Sequence, residues 1–397
     1  YAPQELLLVL AVAGVASFKI ALPIAIAIVL LLVILTVSYE QTIHAYPGGG
    51  GAYIVARDNL GEFPALVAGS ALLLDYVLTV AVSISSGVAQ LVSAYPGLQY
   101  YAVLIAVAMV FFIMIINMRG VKESGTLFAI PTYFFLAMMF LTVIVGFVRF
   151  FTGTLGTVVD PPMDIMLQNT VLQPVTLFLI LRSFSSGTTA LTGVEAISNG
   201  ITAFKAPTSK NAGQTLIMMS AILSTLLLAI TFLAIQIGGL PSEQETLISQ
   251  LARTAFQSRG ILYFLAITST TVILMMAANT AFADFPRLSA LIAQDGFMPR
   301  QFAYRGSRLV FSRGIAALAV IASILIVIFQ ASVSRLIPLY AIGVFLSFTL
   351  SQAGMAIRWN KSGKLEEGRE IQERGSILKH DDHWLFKMLV NSLGSVS

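Results

Sequence analysis

Two apolar stretches of this sequence carry groups that lipid penalises. The first, Ser183 to Asn199 (SFSSGTTALTGVEAISN), holds hydroxyls, the glycines Gly187 and Gly193, and the carboxylate of Glu195. On a helical wheel Ser185, Thr188, Thr192, Glu195 and Asn199 fall within an arc of about 80°, one continuous polar stripe. The two glycines let the backbone open beside it, and a half-broken membrane helix with hydroxyls and a carboxylate is a common way to build a substrate or ion site. The second stretch, AGSALLLDYVLTVAVSISSG, places Asp75 in a helix without Lys or Arg. A central Asp costs roughly 2.5 to 3.5 kcal/mol on insertion scales. Asp75, Thr79, Ser83, Ser86 and Gln90 again span about 80°. A seam of Ser and Thr bonds between helices is worth about 0.6 kcal/mol per bond and needs no Asp, so Asp75 reads as functional.

Hydroxyls, open carbonyls and one or two carboxylates suit a hard monovalent cation, whose hydration shell they replace, or a proton that a partly desolvated carboxylate takes up and releases. Tyr1, Tyr76 and Tyr340 offer phenolic oxygens, although membrane tyrosines more often pack or anchor. Glu195 has a structural alternative, since it could cap a broken backbone or pair with a loop arginine. The run Pro47 to Tyr53 (PGGGGAY) lacks the Gly-Lys-Ser/Thr ending and the preceding strand of a phosphate loop, and reads instead as a tight, flexible cytoplasmic loop. The His380 to His383 run (HDDH) lies in a charged loop and reads as solvated surface rather than a metal site. Neither a zinc-protease helix nor a nucleophile elbow occurs, which speaks against a hydrolytic enzyme. With no cysteine, disulfides and thiol chemistry are excluded.

The elements that must position these groups are helices in a membrane. Residues are 57% hydrophobic and 11% charged, far from the roughly 25% charged of a soluble domain. Apolar runs of helix-spanning length exclude an outer-membrane barrel. About ten spans are expected: 3–15, 20–39, 63–93, 101–118, 128–151, 175–199, 215–237, 261–283, 314–329 and 336–357, with a polar surface helix over 243–257. Most of the 23 Lys and Arg fall in alternate loops, including Arg57, Arg119, Lys122, Lys205, Lys210, Arg287, Arg300, Arg305, Arg308, Arg313 and the cluster from Arg358 to Lys387. That side is cytoplasmic; the basic charge marks orientation rather than a nucleic-acid surface. Five helices per group invert the second group, giving repeats over 1–152 and 174–358 within a transporter domain 1–358, then a charged cytoplasmic loop 359–388 and the start of a further span at 389–397. The ends of the sequence read as cuts inside the first helix and at the start of an eleventh.

The segments YEQTIHAYPGGGGAYIVARDNLG, LLLDYVLTVAVSISSG, NMRGVKESG and SSGTTALTGVEAISNGITAFKAP resemble the amino acid-polyamine-cation superfamily and, within it, bacterial potassium importers of the KimA type. The resemblance spans essentially the whole chain. It implies an all-α integral membrane protein of the LeuT type, a 5+5 inverted repeat in the bacterial cell membrane, working as a proton-coupled potassium symporter and a homodimer. By that resemblance the potassium ligands fall on Tyr1, Asp75, Tyr76, Thr79, Ser83, Thr192, Glu195 and Tyr340, with Glu195 coupling the proton. The cargo is a small inorganic cation, and neither a cofactor nor a metal beyond potassium is implied. The alternative is a proton-coupled amino acid permease of the same fold, for which Ser185, Ser186 and Gly187 could receive a carboxylate, though Asp75 favours a cation.

Overall fold

Long apolar runs leave the backbone no partner but itself, and the structure, a computed structural model, is accordingly helical. It describes residues 1–49, 51–119, 125–159, 161–162, 174–304, 311–373 and 375–396. Gly50 of the glycine run, most of NMRGVKESG, Lys122, Arg305, Arg308, Arg374 and Ser397 lie outside these.

In chain order the helices are α1 Ala2–Ala11, α2 Ala21–Ala45, α3 Gly51–Asn59, α4 Glu62–Ala94, α5 Ala102–Met118, α6 Gly125–Phe151, α7 Leu177–Gly187, α8 Val194–Asn199, α9 Thr208–Gln236, α10 Leu247–Ala255, α11 Ile261–Gln294, α12 Ser312–Ile328, α13 Val333–Gly363 and α14 Trp384–Val396. A two-stranded antiparallel hairpin, β1 Glu370–Gln372 and β2 Ile377–Lys379, pairs Ile371 with Leu378. Among the described residues, seven helices are long and apolar enough to cross a membrane, with α1 and α12 apolar but shorter.

Several expected boundaries shift. The first helix stops at Ala11, and α2 continues to Ala45 where the apolar run suggested Tyr39. Helix α11 runs on through Pro286 to Gln294 instead of stopping at Ala283, and α13 reaches Gly363. Apolar runs mark only the lipid-facing length of a helix, and hydrogen bonding carries the coil on into water. The glycine run is not simply a loop, because Gly51 opens α3. The charged stretch 359–388 holds the end of α13, the hairpin and the start of α14, which begins at Trp384 rather than Leu389.

The chain forms two compact units. The first comprises Tyr1–Ala27, Val77–Ala190 and Thr225–Leu339; the second comprises Ile28–Tyr76, Leu191–Ser224 and Tyr340–Ser397. In the first, α1 packs on α7, α5 on α12, and α11 on α6 and α12. Ser183 Oγ donates to the Leu6 carbonyl at 2.9 Å, and Asn117 Nδ2 to Asn279 Oδ1 at 2.7 Å. In the second, Thr36 of α2 donates to Ser220 of α9 at 2.7 Å. Buried Asn391 ties α14 to α2, accepting from Ser38 at 2.6 Å and donating to Gln41 at 2.7 Å. Tyr46, Val55, Met355 and Trp359 form an apolar cluster where α2, α3 and α13 meet.

Candidate functional site

The polar stretch 183–199 breaks as its glycines allow. Helix α7 ends at Gly187, a 3-10 turn covers Thr188–Leu191, and α8 restarts after Gly193, whose φ of +93° is a left-handed conformation that glycine adopts without strain. Thr188 and Thr189 turn their hydroxyls back onto the carbonyls of Ser185 and Ser186, at 2.6 and 2.8 Å, and so serve the broken backbone.

In the first turn after the break, buried Glu195 is held from two sides in the second unit. Its Oε1 accepts the Ala52 N–H at 3.3 Å, and Ser347 Oγ of α13 lies 3.1 Å from Oε1 and 2.9 Å from Oε2. Ala52 is in the first turn of α3, where backbone N–H groups have no intrahelical acceptor and the helix dipole favours negative charge. Glu195 thus caps a helix, but a distant one rather than its own broken backbone. Asn199, one turn further, donates to Tyr76 Oη at 2.7 Å. Its Oδ1 sits where a Cβ on Gly51 would fall, 1.6 Å from that position, and Gly51 has a φ of +49°. Glycine at 51 therefore lets α3 start against α8.

Asp75 lies in α4 of the same unit. Its Oδ1 is buried without a hydrogen-bond partner among the described residues. Its charge is close enough to interact with that of Glu195, and both act on buried Tyr39, whose hydroxyl lies beside Ser351. Helix α13 approaches α4 at Gly343, where a Cβ would stand 3.3 Å from the Ala71 carbonyl and 3.5 Å from the Asp75 nitrogen. Two carboxylates, an Asp75 oxygen without a hydrogen-bond partner and no Lys or Arg hydrogen-bonded to either carboxylate among the described residues make an electronegative centre.

Of the expected ligands, Asp75, Tyr76, Thr192, Glu195 and Tyr340 belong to this unit, with Tyr76, Glu195 and Tyr340 buried. Tyr1, Thr79 and Ser83 belong to the first unit, where Tyr1 lines a cavity with Gln4, Ser86 and Gln90. Ser347, Tyr39 and the Ala52 N–H were not expected from sequence. Ser347 is one of several hydroxyls in its helix, and the Ala52 N–H is a backbone group that no side-chain pattern marks.

A family model described as amino acid permease matches residues 5–396. The chain belongs to this family. It is also 44% identical over 396 residues to the potassium transporter KimA of Bacillus subtilis (strain 168), a match covering 100% of this chain and 62% of that relative. The amino acid permease family and this relative are transporters, so the chain is a multi-pass membrane protein of a transporter family rather than an enzyme family.

At the far end of α3, the chain carries a charged cluster. Buried Arg358 donates to Glu373, to Ser376 Oγ at 2.9 Å and to the Ile377 carbonyl at 2.9 Å, and lies 4.7 Å from the Tyr46 ring centroid. Asp58 Oδ2 accepts the Gly375 N–H at 3.1 Å, and Asn59 Nδ2 donates to Tyr46 Oη at 2.8 Å. Burial pushes the Tyr46 phenol above its ordinary pKa, against the pull of Arg358. In the HDDH run, His380 and Asp382 pair at 3.6 Å near Glu367, with both carboxylates exposed to water.

Proposed function

We propose that the full-length protein is a secondary active potassium importer driven by proton symport. The observation that carries this reading is the pair of interacting carboxylates, Asp75 with an unused buried oxygen and Glu195 beside a helix break. A carboxylate with no Lys or Arg hydrogen-bonded to it among the described residues, near phenols and hydroxyls, favours a monovalent cation over the carboxylate of an amino acid. The potassium transporter to which the chain is similar supports the same cargo.

In this reading potassium is held by Asp75, Tyr76, Thr192, Glu195 and Tyr340. Tyr1, Thr79 and Ser83 are further ligands implied by the resemblance. Glu195 takes up the coupled proton: Ser347 and the Ala52 N–H hold its carboxylate ready, and protonation trades one of those acceptor roles for a donor. The architecture is the ten-helix LeuT-type inverted repeat, 1–152 and 174–358, with alternating access around broken helices at 3–15 and 175–199. The protein works as a homodimer in the cell membrane, and potassium and the proton are cargo rather than cofactors.

The test is potassium uptake by cells lacking their own importers and expressing the full-length protein, unsubstituted or with Asp75→Asn or Glu195→Gln, at two external pH values. The expected result is uphill accumulation, faster at acid pH, abolished by Asp75→Asn and stripped of its pH dependence by Glu195→Gln. Accumulation of a labelled amino acid without potassium would replace the cargo. Downhill flux alone would make the protein a channel.

A further inference from the structure

Tyr76 follows Asp75 directly, and consecutive residues of a helix project about 100° apart. For the two side chains to serve one ion, the phenol oxygen has to be held in place from outside α4, because its own torsions leave it several positions. A partner that does so is Asn199, 123 residues further along the chain. Its Nδ2 donates to Tyr76 Oη at 2.7 Å, and Tyr76 is buried. An amide nitrogen only donates, so in this bond the phenol oxygen accepts and its own proton points elsewhere.

Asn199 is itself firmly seated. It closes α8, four residues after Glu195 and so on the same face of that helix. Glu195 meets the Ala52 N–H and Asn199 meets Gly51, so this face of α8 bears on the first turn of α3 at two successive points. A Cβ on Gly51 would stand 1.6 Å from Asn199 Oδ1 and 2.6 Å from its Cγ, and one on Gly49 would stand 2.9 Å from the Asn199 carbonyl oxygen. The amide is thus wedged against the start of α3 while its nitrogen holds Tyr76. Its Oδ1 is buried and has no hydrogen-bond partner among the described residues, a cost that an apolar side chain filling the same space would avoid. What an apolar side chain could not do is donate to Tyr76.

We propose that Asn199 is a positioning residue of the cation site, acting through Tyr76 to fix how far the phenol oxygen stands from the ion and so which ion the site prefers. Asn199 does not touch the ion itself. A neutral oxygen held in place sets an ion–oxygen distance suited to one radius, whereas a released oxygen follows a smaller ion inward. Potassium and rubidium are close in size and sodium is smaller, so losing Asn199 falls on the discrimination against sodium. The inference rests on the potassium reading above, in which Tyr76 is a ligand.

The test is a double-mutant cycle in the purified full-length protein, read as equilibrium binding of rubidium-86 and its displacement by sodium. Asn199→Ala and Tyr76→Phe are each expected to raise the rubidium Kd about three- to tenfold and to narrow the ratio of the sodium Kd to the rubidium Kd at least about threefold. Added to Tyr76→Phe, Asn199→Ala should change neither quantity by more than about 1.5-fold, because the oxygen through which it acts is gone. A merely structural Asn199 would lower the number of binding sites in both backgrounds alike and leave the ratio where it was, and that result overturns the proposal. Asn199→Leu keeps a side chain of similar shape against Gly51 and removes the donor, so it answers the same question should Asn199→Ala not fold. An unchanged ratio in Asn199→Leu overturns the proposal, and a narrowed one that vanishes in the Tyr76→Phe background supports it. Should the protein bind a labelled amino acid and no rubidium, the potassium reading fails, and the same cycle on the amino acid Kd decides the pair: coupled effects keep Asn199 as the positioning residue of Tyr76, and additive effects overturn it.

Discussion

Ser347 Oγ lies within hydrogen-bond distance of both oxygens of Glu195, so its loss removes a side-chain partner from a buried carboxylate. Ser347→Ala is expected to destabilise the protein by about 1–3 kcal/mol, the usual cost of stranding a buried polar group. Thermal unfolding in detergent checks it, and Ser347→Thr, which keeps the hydroxyl, restores most of the loss. The two carboxylates themselves were legible in the sequence, because an acidic group in an apolar run announces its own cost. Ser347 was not, since what distinguishes it from other membrane serines is a partner 152 residues away. The same holds for Asn199, whose place in the polar stripe was readable but whose bond to Tyr76 and contact with Gly51 belong to tertiary structure.

At the scale of elements, the ends of helices depend on capping that apolar runs do not record. Helix α14 begins five residues before its apolar stretch because Asp381 organises the turn ahead of it, accepting the His383 N–H at 2.9 Å and the Lys387 ammonium at 2.5 Å. Partial burial pushes the Asp381 carboxyl up, but the Lys387 and His383 hydrogen bonds and charges outweigh it and hold the carboxyl below the usual carboxylate range. A depressed pKa means that the stabilisation is fully present above the unfolded value, about 3.9, and fades as pH falls through the folded one. The protection of the Trp384–Val396 amides, their exchange relative to an unstructured peptide at the same pH, should therefore hold from pH 6 down to about pH 3.9 and fall below it. In Asp381→Asn the protection should already be lower at pH 6 and change little on acidification. The breaks were more legible than the ends: Gly187 and Gly193 mark the interruption of α7 and α8 on both sides, because glycine is where a backbone can leave the helix cheaply.

For the whole molecule, composition and hydropathy identify a helical membrane protein, and the uneven spread of Lys and Arg implies which loops face the cytoplasm. The absence of cysteine from these 397 residues makes that orientation directly testable, since a thiol introduced into them is unique within them. A membrane-impermeant maleimide should label Gln244→Cys and Ser258→Cys in intact cells, and Lys364→Cys and Glu367→Cys only after lysis; the opposite pattern would invert the topology. Helix α3 then acquires a mechanical meaning. It is 9 residues long, about 13.5 Å at 1.5 Å per residue. Its first turn touches the carboxylate of Glu195, and its last carries Asp58, bonded to the hairpin turn at Gly375. It is a short strut with one foot on a buried acid and the other on a charged hairpin. A strut this short has no joint in which to lose a displacement, so a push on the hairpin arrives at Glu195.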